Sequence, residues 1–168
     1  MTKKERLLLE RAEREADDPK TYQDRVEWTN PNGVFVSVLR KILVQKTRLK
    51  AVMSDLDRAT GLRGGLEAAS PFYNYSYQLC LYHRGETGIY HPLLVRVSPC
   101  IDLFTVSNEE GVAAGVIDAL VSVFESHGFV SIGTSALEEA YDGQNPKYAG
   151  CTWWDRFFGN TESHLVLG

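Results

Sequence analysis

Phe35, Ile42, Leu49 and Leu56 fall seven residues apart, and Val38, Leu39, Val52 and Met53 fill positions between them. Apolar residues at this spacing share one face of an α-helix. The spacing predicts one long helix through residues 35–60, closed by Gly61. Such a helix spans roughly 40 Å, at about 1.5 Å per residue. Its apolar stripe needs an equally long surface to cover it. The β-branched run "VFVSV" leaves a strand as the alternative at its start.

That covering surface is expected from the segments that follow. "YNYSYQLCLYH" alternates, with Tyr75, Tyr77, Leu79 and Leu81 on one side of a strand and Ser76, Gln78, Cys80 and Tyr82 on the other. "LLVRV", "IDLFTV" and "FVSIG" read as further strands, and Pro99 suits a strand end. "GLRGGLEAASP" reads as a flexible connection. Asn108 is expected to cap a helix with Glu109 and Glu110 in its first turn and an apolar stripe from Val112 to Phe124, ended by Gly128.

Three four-residue patterns predict helix starts through a capping box: "TKKE" at Thr2, "SALE" at Ser135 and "TWWD" at Thr152. The first helix is stopped by "DDP", and its thin apolar face predicts loose packing for residues 1–30. Short links between strands favour antiparallel pairing. The expected fold is α+β in a single domain, 1–168: an antiparallel sheet of about four strands, packed with one long helix and several shorter ones.

No apolar run is long enough to cross a membrane, and three leucines near the N-terminus are too few for a signal peptide. With Cys80, Cys100 and Cys151, one cysteine stays unpaired in any disulfide scheme. Reduced thiols in a cytoplasmic protein are the expectation.

The residues that could carry chemistry are scattered. Cys80, His83, His91 and Cys100 are irregularly spaced, and strand alternation puts Cys80 and His83 on opposite faces, so no metal site is expected. No nucleophile elbow or phosphate loop is present, and no cofactor is implied. One enzyme reading survives: a small hydrolase with a pocket near Cys80, His83 and Asp102. The basic segment bearing Arg40, Lys41, Lys46, Arg48 and Lys50 reads as the solvated face of the long helix rather than a nucleic-acid track. A third reading is an oligomeric adaptor, associating through the stripe at 35–56.

Charge is divided unevenly. Residues 1–99 carry 16 Lys/Arg and 12 Asp/Glu, a net of +4; residues 100–168 carry 2 and 10, a net of −8. A strongly acidic half can steer a basic partner. Glu138, Glu139, Tyr141 and Asp142 form its densest short patch. In a short helix at 153–158, Trp153 and Phe157 form one apolar pair and Trp154 and Phe158 another, on different faces. One pair is expected to close the core, and the other is free to dock a partner.

An acidic C-terminal half with a late aromatic helix, "TWWDRFFG", resembles bacterial immunity proteins of contact-dependent and polymorphic toxin systems. The resemblance implies an inhibitor that binds a cognate protein toxin and has no catalysis of its own. The contact residues expected on the sequence are Glu138, Glu139, Tyr141, Asp142, Trp153 and Trp154.

Overall fold

The computed structural model of the protein describes residues 1–16, 34–67, 76–83, 93–99, 101–108 and 112–159. Its elements, in order, are α1 (Lys3–Glu15), α2 (Val34–Thr60), β1 (Leu62–Glu67), β2 (Tyr77–His83), β3 (Leu93–Val97), β4 (Leu103–Asn108), α3 (Ala114–Ser126), β5 (Val130–Ser131), α4 (Thr134–Leu137), a 3-10 turn (Pro146–Tyr148) and α5 (Trp153–Phe157). The fold is α+β. Among the described residues, no helix is long and apolar enough to cross a membrane.

The sheet has five strands in the order β1-β2-β3-β4-β5, not four. The first four form an antiparallel meander, and β5 adds parallel to β4. β1 is the strand that the glycine-rich connection conceals. Gly64 has no side chain because there is no room for one: a Cβ there would lie 2.0 Å from the Cys80 carbonyl oxygen of β2. The glycine that weakens the sequence signal is what lets the two strands close.

Alternation along β4 divides two cores. Phe104 faces α2 and α3 with Leu49, Val52, Leu56, Leu62, Leu79, Leu81, Val95, Leu120 and Phe124. Phe104 stacks on Phe124 at 4.5 Å. Leu103 faces the other way, among Leu9, Ala12, Ile132, Tyr141, Trp153 and Phe157 from α1 and the C-terminal elements. Of the α2 stripe, Leu49, Val52 and Leu56 are fully buried inside the domain, so these three residues cannot serve an adaptor's self-association.

Gln45 and Arg48 of α2 pin the turn before β4. Gln45 Nε2 donates to the Ser98 carbonyl at 2.9 Å and to Asp102 at 3.1 Å. Arg48 pairs with the same carboxylate and lies over the Phe129 ring at 4.7 Å. At the far end of α3, His127 reaches Asp55 of α2 at 2.9 Å.

Local expectations met different fates. The boxes at Thr2 and Thr152 form with both reciprocal bonds. The hydrogen bond from the Thr2 backbone holds the Glu5 carboxyl below its ordinary value. The box at Ser135 does not form: Gly133 is the N-cap, and Ser135 lies inside the helix. Thr134 instead meets Thr105 of β4 through their hydroxyls at 3.0 Å. Asn108 ends β4, and α3 starts six residues later without a side-chain cap, so Asn108 caps no helix. Val130 of β5 is exposed rather than buried, while Phe129 and Ile132 on either side are buried.

Candidate functional site

Residues 139–153 form an irregular, closed loop. The Tyr141 amide donates to the Cys151 carbonyl at 2.9 Å, and the Trp153 amide donates to the Glu139 carbonyl at 3.2 Å. Ala140 and Thr152 form the bridge between the two arms. Inside the loop, the Asn145 side chain caps the 3-10 turn. Gly143 is again required by close approach, since a Cβ would meet the Tyr141 ring at 2.5 Å.

Helix α1 is fastened to this loop by charge as well as by Leu9 and Ala12. Arg156 of α5 is almost wholly buried, and its Nε donates to Glu13 at 2.7 Å. The second oxygen of Glu13 accepts from the Tyr141 hydroxyl at 2.5 Å. That hydroxyl in turn accepts from the Asn145 amide at 2.8 Å. The guanidinium also lies over the Tyr148 and Phe157 rings. Toward the surface, the N-terminal ammonium pairs with Glu139, and Arg6 pairs with Asp142 at 2.5 Å. Loose packing of the N-terminal segment is therefore overturned for α1, whose Leu9 and Ala12 are buried. Residues 17–30 lie outside the described residues.

Between α1 and the loop is an open cleft of about 530 Å³, lined by Arg6, Glu10, Glu13 and Arg14 on one side and by Asp142–Asn145 and Trp153 on the other. Glu10 and Arg14 are exposed and carry no ion pair among the described residues. The wall thus offers one anion and one cation outside any ion pair among the described residues, beside the edge of Trp153. Pockets of this volume hold a few side chains of a ligand or partner.

The six expected contact residues have different positions. Glu138 is exposed at the end of α4 and makes no ion pair among the described residues. Glu139 is half-buried, Asp142 is exposed, and each is neutralised by a cation of the α1 end. Tyr141 is buried beneath the cleft and meets Trp153 edge-on at 4.7 Å. Trp153 is only 2% exposed, stacks on Phe157 and forms part of the cleft wall. Trp154 is half-buried, stacked on the buried Phe158 at 5.1 Å with Arg96 of β3 over its ring. Both aromatic pairs therefore serve packing. What the sequence reading missed is α1: Glu10, Glu13 and Arg14 line the site from more than a hundred residues away, and no local pattern marks that.

The alternative chemistry is not assembled. Tyr77, Val97 and Phe104 share one row across the sheet, and Asp102 lies just beyond that row. His83 is at the opposite end of β2, six residues along, which is roughly 20 Å at about 3.3 Å per residue. Cys80 sits mid-strand opposite Leu94, and Asp102 is bonded to Arg48 and Gln45. His91 and Cys100 lie outside the described residues. Among the described residues, no three His, Cys, Asp or Glu side chains gather as metal ligands.

Compared with family models, with curated proteins and with solved structures, the chain matches none of them.

Burial raises the Tyr141 hydroxyl to about 12, with its bond to Glu13 as the second cause. Burial alone raises Tyr77 to about 12. A raised value means the fold holds the proton more tightly than the unfolded chain does. The stabilising contribution is complete below the ordinary tyrosine value near 10 and is lost as pH rises from there toward 12. Unfolding free energy is expected to be flat in these groups up to about pH 10 and to fall above it. Tyr141→Phe is expected to flatten part of that fall, as read by denaturant titration at several alkaline pH values.

Proposed function

We propose that this chain is an inhibitor of the immunity type, which recognises a cognate bacterial toxin by protein–protein contact at the cleft face and performs no chemistry itself. The observation that carries the reading is convergence. Asp142 and Trp153, singled out on the sequence, line one open cleft with α1. Glu138, exposed at the end of α4 and four residues before Asp142 in sequence, makes no ion pair among the described residues. Backbone bonds tie the two arms of the loop together, and a loop already held this way needs less ordering on binding. The net −8 of residues 100–168 supplies long-range attraction for a basic partner.

The intramolecular pairs refine which substitutions test this. Reversing Glu139 or Asp142 would also unfasten α1. Among the described residues Glu138 and Glu10 form no ion pair of their own, so Glu138→Lys and Glu10→Lys alter the face without breaking the pairs that fasten α1. With the chain as bait in an extract of its own organism, one stoichiometric, salt-sensitive partner is expected, read by mass spectrometry. The two reversals together are expected to weaken its capture at least tenfold at low salt, with thermal stability unchanged. Capture equal to wild type would remove the cleft face from the contact.

A further inference from the structure

We propose that two copies of this chain associate through the outer faces of α2 and α3, with α2 of each copy lying antiparallel on α3 of the other. The two helices cover the same side of the sheet through Leu49, Val52, Leu56, Leu120 and Phe124. Their outer sides stay exposed. On α2, Thr47, Lys50, Ala51, Ser54 and Arg58 recur there at helical spacing, and on α3, Asp118, Ser122 and Glu125 do the same. Leu43 and Val44 of α2 are 63% and 61% exposed, more than any other large apolar side chain among the described residues. Exposed bulky apolar groups of this kind mark contact surfaces when they adjoin a larger patch.

Charge points to a second copy as the occupant. The outer face of α2 carries Lys50 and Arg58. The outer face of α3 carries Asp118 and Glu125, with no Lys or Arg between residues 112 and 128. Lys50, Asp118 and Glu125 make no ion pair among the described residues. Arg58 meets Asp55 at 3.1 Å and still has a side chain 78% exposed, and a guanidinium has further donors. Each copy thus presents a basic helix beside an acidic one.

Spacing and direction match as well. α3 joins the parallel strands β4 and β5, so it runs against β4. α2 doubles back at Gly61 into β1, and β1 runs opposite to β4, so α2 and α3 are antiparallel. His127 reaches Asp55, and Arg48 lies over Phe129, which sets the C-terminal end of α3 beside residues 48–55 of α2. Lys50 and Arg58 are eight residues apart, roughly 12 Å, and Asp118 and Glu125 are seven apart, roughly 10 Å, at about 1.5 Å per residue. A two-fold axis parallel to the helices sets Lys50 opposite the partner's Glu125 and Arg58 opposite the partner's Asp118, and symmetry repeats both pairs. Ala51, Ser54 and the partner's Ser122 lie between the charges, small enough for the helices to approach closely. An axis across the helices would instead set α2 on α2 and α3 on α3, with like charges facing. The cleft is on the other side of the sheet, with Trp153 and Leu103, so both copies keep it accessible.

Sedimentation velocity of the full chain over a dilution series tests this. A monomer–dimer equilibrium is expected. The K50E/R58E chain and the D118K/E125K chain each set like charges opposite one another, and each is expected to weaken its own dimer by about tenfold or more. Mixed in equal amounts, the two reversed chains are expected to form a heterodimer, because every facing pair is then opposite in sign. Neither chain is altered by mixing, so recovery isolates the contact between copies. A wild-type chain that is monomeric at every concentration overturns the proposal. So does a dimer that ignores both reversals, or a mixture that stays monomeric while the circular dichroism of each chain matches wild type.

Discussion

Replacing Arg156 with methionine is expected to destabilise the protein by about 3–5 kcal/mol, the cost of leaving a buried carboxylate without its cation. The Arg156 side chain is 2% exposed and that of Glu13 is 12% exposed, so water cannot take the place of the guanidinium. The loss spreads beyond the pair. Glu13 also fixes the Tyr141 hydroxyl, and that hydroxyl fixes the Asn145 amide in the loop. In a domain of this size, such a change lowers the Tm by roughly 6–20 °C. Adding Glu13→Gln removes the orphaned charge and is expected to recover a substantial part of the loss. A double-mutant cycle by thermal and urea unfolding measures the coupling. Simple additivity of the two substitutions would mean that the pair is not what fastens α1.

Trp153→Ala is expected to cost about 3–5 kcal/mol, as for other large-to-small substitutions of buried aromatic residues. Trp153 meets Tyr141 edge-on and stacks on Phe157, so its removal opens the centre of the second core. Trp153→Phe is expected to be much milder. The buried indole N–H has no acceptor among the described residues. Phenylalanine loses volume but also removes that unsatisfied donor, whose burial costs about 1–3 kcal/mol. The contrast between the two variants is the informative quantity, read as the difference in urea midpoints at constant slope. Equal losses would contradict this account of the indole nitrogen.

How much could be read from the chain depended on whether the cause was local. The seven-residue stripe gives α2 almost to the residue, because helix periodicity and the terminal Gly61, at φ +70°, are properties of a few neighbours. The alternation at 75–81 orients β2, with Tyr77, Leu79 and Leu81 buried as their spacing requires. Similar box patterns at Ser135 (with Glu) and Thr152 (with Asp) part ways for a reason outside either segment. Thr134 is drawn to Thr105 on β4, and Gly133 takes over as the cap. β1 was illegible because its two glycines carry no side-chain pattern. The reason for Gly64 lies on a different strand.

The candidate site shows the same division. The acidic patch and the aromatic helix are visible as composition. Their neutralisation is not, because the cations that meet Glu139 and Asp142 stand at the other end of the chain. The sequence also suggested that one of the two Trp–Phe pairs was free to dock. In the fold, Phe158 is buried and Trp154 is held against Arg96, so aromaticity alone overstated the exposed surface.

The central claim is that the face formed by α1 and the 142–145 loop meets a protein partner. Amide hydrogen exchange of the chain, alone and in complex with the captured partner, tests it most directly. The account predicts slowed exchange across Lys3–Glu15 and residues 138–145, with the α2–α3 face of the sheet unchanged. Protection confined to α2, α3 or the sheet, with the cleft exchanging as in the free chain, would contradict it.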